Sequence, residues 1–173
     1  LGDVYKRQDW KESQVLLKAA FPVDINSNEA TYEIQYGNVK RPTHRNTSWD
    51  EARFEVCGHK WVDLSEGNYG VSLMNNSKYG HDILDGVMRL TLLKSGILPN
   101  TTSDQELHNF IYSIYPHTGD YKDAGTVKMA YNLNVPLYSK VEEAHEGSLE
   151  SKSSLVKVDK DNVIIEVIKK AED

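Results

Sequence analysis

Thr31-Tyr32-Glu33-Ile34-Gln35-Tyr36 decides the fold class. Tyr32, Ile34 and Tyr36 fall on one face and Thr31, Glu33 and Gln35 on the other, the alternation of a strand with one face in a core. Outward from it the same period recurs. Residues 15–21 are short and apolar, and residues 53–61 put Phe54 and Val56 on one face. Residues 69–74, 87–93 and 108–115 continue the series, the last with Phe110, Tyr112 and Ile114 in step. Residues 154–158 and 162–168 read as a closing hairpin joined through Asp159-Lys160-Asp161. Glu66-Gly67-Asn68, Asn75-Asn76-Ser77 and Pro99-Asn100 punctuate the runs as turns. Many short strands with such punctuation predict a mainly β protein, an antiparallel β-sandwich or barrel rather than βαβ units.

One segment breaks the period. Ala124, Val127 and Tyr131 are spaced i, i+3 and i+7, with Asp120 or Asp123 as N-cap and Pro136 beyond, so one short helix is expected over residues 123–133. Residues 139–152, mostly charged or small, read as an exposed loop.

Of 173 residues, 39% are hydrophobic and 27% charged, which excludes a disordered or fibrous chain. Against 26 acidic side chains stand 20 Lys and Arg, a net charge of −6 that argues against a nucleic-acid partner. No run reaches the ~20 apolar residues of a membrane span. Cys57 is the one cysteine, so no intrachain disulfide forms, and a reducing, cytoplasmic setting is the expected one. Residues 1–8, LGDVYKRQ, resemble in Asp3–Gln8 the translation of a transposon end used to prepare sequencing libraries. They are read as non-native, leaving residues 9–173 as an incomplete β-sandwich domain.

Cys57-Gly58-His59 with His44 is the nearest approach to a metal pattern, but the paired spacings of zinc sites are missing and a structural role is favoured. The carboxylates Asp50, Glu51, Glu55, Asp63, Glu66, Asp82 and Asp85 offer no pair that spacing alone selects for glycoside hydrolysis. Asn46, Asn75 and Asn100 head N-glycosylation triplets. Arg41-Pro42-Thr43-His44-Arg45-Asn46-Thr47-Ser48-Trp49-Asp50 is dense in hydrogen-bonding groups and holds a tryptophan, a composition that suits sugar faces and hydroxyls and equally a tied loop with Trp49 over the core.

That stretch, with the following Ala52-to-Glu66 segment, resembles the C-terminal region of glycoside hydrolase family 38 α-mannosidases, the cytosolic and bacterial branch more closely. Tyr69-Gly70-Val71-Ser72-Leu73-Met74-Asn75-Asn76-Ser77-Lys78-Tyr79-Gly80, Leu90-Thr91-Leu92-Leu93-Lys94-Ser95, Tyr115-Pro116-His117 and residues 162–173 extend the likeness over residues 9–173. The resemblance implies a galactose mutarotase-like super-sandwich that packs on a catalytic domain of the same chain. That domain holds zinc and an Asp nucleophile, and the enzyme hydrolyses terminal α-mannosides of mannose-containing oligosaccharides with retention. It implies no catalytic residue and no metal ligand within these 173 residues, and leaves room for a homo-oligomeric parent. It points to Lys94, where many relatives have Arg, and to Asn75, Lys78 and Tyr79 on the preceding turn as substrate-contacting, with Trp49 from its own loop. Departures fall at Gly58, where Ala is usual, at Asn76-Ser77, where Asp-Cys is common, at His81, a frequent aromatic position, and at Ile83 and Asp85 in the next hairpin. The competing expectations are a stand-alone carbohydrate-binding module and a purely structural docking domain.

Overall fold

A computed structural model describes residues 2–172. The chain divides into two units at Tyr138/Ser139. In the first, the elements follow as β1 (Gly2–Asp9), β2 (Leu16–Pro22), β3 (Glu29–Ile34), β4 (Gly37–Pro42), α1 (Ser48–Ala52), β5 (Val56–Cys57), β6 (Trp61–Glu66), β7 (Tyr69–Asn75), β8 (Gly80–Leu84), β9 (Val87–Lys94), β10 (Leu107–Thr118) and α2 (Thr126–Asn134). They build a six-stranded sheet, β1-β10-β7-β6-β3-β4, and a four-stranded one, β2-β9-β8-β5, with every pairing antiparallel.

The core lies between the two sheets. Tyr32, Val62, Leu64, Val71, Leu73 and Phe110 from the larger sheet pack with Met88 and Leu90 from the smaller. Burying one such side chain contributes roughly 1.5–3 kcal/mol. The alternate residues of β6 and β7 are buried as well. Trp61 and Met74 form a second apolar cluster with Ala130, against which Val127 and Leu133 of α2 pack. Between the helix and the sheet, Trp61 and Tyr121 stack with ring centroids 4.9 Å apart.

Three sequence expectations need correction. Tyr36 does not continue the β3 face: it sits at φ 59° in the β3–β4 turn and is fully exposed. Residues 53–61 are not one strand. A helix precedes them because Thr47 and Asp50 close a capping box, and only Val56–Cys57 pair with β8. The helix expected over residues 123–133 begins later, at Thr126 behind Gly125 in the left-handed region. Asp120 caps the turn before it instead, accepting from the Lys122 and Asp123 amides at 2.8 and 3.1 Å.

Of residues 1–8, read from the sequence as adaptor-derived, residues 2–8 fall in the edge strand β1, whose side chains are mostly exposed. The second unit, residues 139–173, contains no strand or helix among its described residues. The expected 154–168 hairpin is therefore absent, although Val163 N does donate to the Lys160 carbonyl across its turn at 3.2 Å.

His81 of β8 is fully buried and meets the Tyr32 ring edge-on at 6.4 Å. Its Nδ1 lies 3.2 Å from the Tyr79 carbonyl and its Nε2 has no partner. Burial pushes the imidazole down to about 4, outweighing the help of that carbonyl and of Glu55. A neutral histidine in the fold and an ordinary one in the unfolded chain make stability full above pH 6.5 and lost as pH falls towards 4. Urea titration should show a loss of about 2 kcal/mol between pH 7 and pH 5. The loss should be largely abolished in His81→Leu.

Candidate functional site

Cross-strand register lines up Lys40, Thr31, Asp63, Ser72 and Tyr115 across β4, β3, β6, β7 and β10. All lie on the face turned away from the inter-sheet core. At the centre of this row Asp63 Oδ2 stands 2.7 Å from His117 Nε2 and accepts from Ser72 Oγ at 2.7 Å. Ser65 donates to the other carboxylate oxygen, and Thr126 of α2 shares a 2.7 Å hydrogen bond with Ser72. A Ser, a His and an Asp thus meet, yet not as a nucleophilic triad. The hydroxyl and the imidazole serve the same carboxylate oxygen, and Ser72 is 0% exposed, beyond the reach of a substrate. The cluster holds α2 to the sheet.

The residues singled out by sequence fall at two ends of the sandwich. Asn75 closes β7, and its carboxamide serves the turn beyond: Oδ1 accepts from the Ser77 and Lys78 amides at 3.2 and 2.7 Å, and Nδ2 donates to the His59 carbonyl at 3.0 Å. An Asn so engaged and only 2% exposed is no glycosylation acceptor. Lys78 lays its ammonium 4.6 Å from the Phe110 ring centroid, and burial lowers its pKa. Tyr79 is exposed and packs edge-on against His59, with centroids 5.4 Å apart. Lys94 ends β9 at the edge where β8 begins, since the two strands are antiparallel, and it is exposed.

Lys94, paired with Leu16, is not among the residues that meet at the turn shared by Asn75, Lys78 and Tyr79. A polar pocket of about 160 Å³ opens there, lined by His59, Lys60, Asn75, Tyr79 and Asn134 among others. Burial disfavours the charged form of Lys60, but the Glu33 carboxylate 3.0 Å away overcomes it and raises the pKa. Sequence reading missed His59, Lys60 and Asn134. Asn134 arrives from the end of α2, donating to the Asn75 carbonyl at 3.0 Å, and no local pattern announces such a contact.

Trp49 lies apart, on α1. The loop before it is tied to the β8–β9 turn through Asp85 N and the Thr43 carbonyl at 3.4 Å, which is the opposite end of the small sheet. Trp49 is 79% exposed and does not cap the core. Its neighbour Asp50 is held below the usual carboxylate range by the Thr47 hydroxyl, then by Arg53 and His44.

Glu55 and Asp82 are both bound by Lys18, and Asp82 also by Arg89 at 3.1 Å, an ion-pair cluster rather than a free acid–base pair. Cys57 is exposed at the end of β5, while His59 has already left the strand towards Tyr79. Among the described residues no group of three or more His, Cys, Asp or Glu is placed to hold a metal ion. The side chains present do not fit a zinc site.

Removing the Asp63 carboxylate takes the acceptor from the buried His117 imidazole and from Ser65, while Ser72 keeps Thr126. Asp63→Ala should cost about 3–5 kcal/mol in chemical denaturation. Trp49→Ala, at an exposed position, should stay within about 0.5 kcal/mol of the parent chain.

Comparison with known proteins follows this architecture. The glycosyl hydrolases family 38 C-terminal domain matches residues 6–102. Alpha-mannosidase 2C1 of Mus musculus is 44% identical over 94% of the chain, and that of Homo sapiens 42% over 94%. An alpha-mannosidase of Saccharomyces cerevisiae is 46% identical over 73%. The chain spans only 16%, 16% and 12% of these three proteins. The crystal structure of an alpha-mannosidase from Enterococcus faecalis superposes with a TM-score of 0.74 at 20% identity, over 85% of this chain and 18% of that one. Matched by that domain over residues 6–102 and 44% identical to such an enzyme along 94% of its length, the chain belongs to the glycosyl hydrolase family 38 C-terminal domain family.

Proposed function

We propose that the chain works as the C-terminal β domain of an α-mannosidase, a retaining glycosidase acting on terminal α-mannosides of mannose-containing oligosaccharides. The observation that carries this reading is the 44% identity with alpha-mannosidase 2C1 along 94% of the chain, over one contiguous sixth of that enzyme. Cleavage and the zinc that orients the sugar belong, in this reading, to a catalytic domain of the same polypeptide, on which the sandwich packs. No step of the chemistry is assigned to residues described here.

We assign Tyr79 and Lys94 to the substrate cleft. Their exposed phenol and ammonium groups suit sugar hydroxyls, and Asn75 fixes the turn that presents Tyr79. A cytoplasmic setting agrees with a free, exposed Cys57. No helix among the described residues is long and apolar enough to cross a membrane. A second reading, a stand-alone carbohydrate-binding module, is favoured by the exposure of Trp49.

The test is an aryl α-mannoside assay of the 173-residue chain with and without added zinc, for which we expect no turnover. Zinc-dependent turnover would overturn the accessory role. In a polypeptide joining this chain to a family 38 catalytic domain, Tyr79→Ala and Lys94→Ala should each raise KM about 3- to 10-fold while leaving the melting temperature unchanged. If those variants are silent and Trp49→Ala abolishes mannoside binding by the chain alone, the binding-module reading replaces the first.

A further inference from the structure

A small cavity of about 30 Å³ lies between β4, α1 and β8, away from Tyr79 and Lys94, neither of which lines it. Space of that size takes about two water molecules. A pyranose ring does not enter it, whereas two oxygens of a tetrahedral anion do, with the others at the mouth.

The charged lining is unevenly paired. Asp50 accepts from the Thr47 hydroxyl at 2.8 Å and from Arg53 at 3.0 Å. Asp82 is held by Lys18 and Arg89 at 3.2 and 3.1 Å. Both carboxylates of the lining are therefore engaged, while Arg41 and Arg45 have no carboxylate partner among the described residues. Arg45 is exposed, but Arg41 is half-buried. It donates to the Cys57 carbonyl at 2.6 Å and lays its guanidinium 4.6 Å from the Tyr32 ring centroid. Burial lowers its pKa and the nearby Arg53 guanidinium works the same way, against the help of Tyr32 and Cys57. Arginine stays protonated in proteins, so this charge persists without a counter-charge.

His44 adds an orphaned nitrogen to the same cavity. Its Nδ1 is shielded from solvent and makes no hydrogen bond. Oδ2 of Asp50 stands 3.9 Å from it, beyond hydrogen-bond reach, and already serves Thr47. Buried polar atoms are as a rule partnered. A group entering the cavity would supply what both Arg41 and His44 lack.

The lining selects the chemistry of that group. Three guanidinium groups repel a cation, and a neutral ligand leaves the charge on Arg41 uncompensated. Their planar forks match the oxygens of a phosphate, which brings roughly two negative charges at pH 7 to two unpaired guanidiniums. Asp50 and Asp82 do not bar it, because Arg53, Lys18 and Arg89 offset their charges. We propose that the cavity binds a phosphate group, free or carried by a small monoester, with Arg41, His44 and Arg45 as its donors. The site goes beyond the mannosidase role and needs neither Tyr79 and Lys94 nor a catalytic domain.

The experiment is an amide-resolved NMR titration of the 173-residue chain with sodium phosphate, glycerol 3-phosphate and sodium chloride. The three series are run at equal ionic strength. A phosphate compound should give saturable shifts centred on Arg41, His44 and Arg45, with a dissociation constant below about 10 mM. Whichever of the two binds more tightly tells the free anion from the ester. Arg41→Met should weaken binding about tenfold or more. Arg45→Ala, at an exposed position without a partner, should weaken it about three- to tenfold and serves if Arg41→Met misfolds. Lys122→Ala removes an exposed cation outside the cavity and should leave binding unchanged, which separates a site from general attraction.

Three outcomes overturn the proposal. One is no saturable shift at these residues up to about 50 mM phosphate, with water alone satisfying His44. Another is an equal response to chloride. The third is phosphate binding that both arginine variants leave undiminished, or that Lys122→Ala weakens as much as they do.

Discussion

Strands β6 and β7 are buried on both faces, and the rest of the architecture follows from that. Their inward residues, Val62, Leu64, Val71 and Leu73, close the core between the sheets. Their outward residues cannot be left to water, because Trp61, Asp63, Ser72 and Met74 are too large or too polar to go uncovered and unsatisfied at such depth. Helix α2 is the answer at one end of the strands, where Trp61 and Met74 meet Ala130. At the other end the cover is polar: one carboxylate, one imidazole and three hydroxyls meet around Asp63, with His117 Nδ1 left without a partner. A sheet with a dry patch and a polar patch on one face fixes where a helix can lie.

The small sheet solves a different problem. Its inner face is apolar, but His81 is set into it among Tyr32, Val62 and Gly58. A Cβ built on Gly58 would come within 2.9 Å of Val62 Cγ1 and 3.1 Å of His81 Nδ1. Gly58 and His81, two of the positions at which the sequence departs from the pattern of the family it resembles, are thus neighbours in space.

Strand periodicity was legible wherever one face is apolar, as in β3, β9 and β10. It failed at Trp61-Val62-Asp63-Leu64, where burial on both faces erases the alternation. It assigned no strand at β4 and β8, whose Lys40, Arg41 and Asp82 find their partners, Glu29, the Cys57 carbonyl and Lys18, on other strands or their flanks. Helix α1 could have been found, since Thr47 and Asp50 stand at capping-box spacing. Of the site, sequence located the turn of Asn75, Lys78 and Tyr79, but it could not tell a residue that presents itself from one that holds the turn. That distinction rests on where the Asn75 carboxamide points, and only coordinates carry it.

The 154–168 segment makes the same point from the other side. Val163-Ile164-Ile165-Glu166-Val167-Ile168 has strong β propensity, and the turn before it closes, yet no ladder forms and the apolar side chains remain exposed. Propensity describes what a segment does once a neighbouring strand and a face to bury are present. An isolated two-stranded hairpin recovers too little apolar burial to offset the ordering of its backbone. In the first unit each two-residue turn is followed at once by strands that a third strand or a second sheet covers, so the same local signal succeeds. A strand is therefore specified by its sequence only together with the surface that receives it.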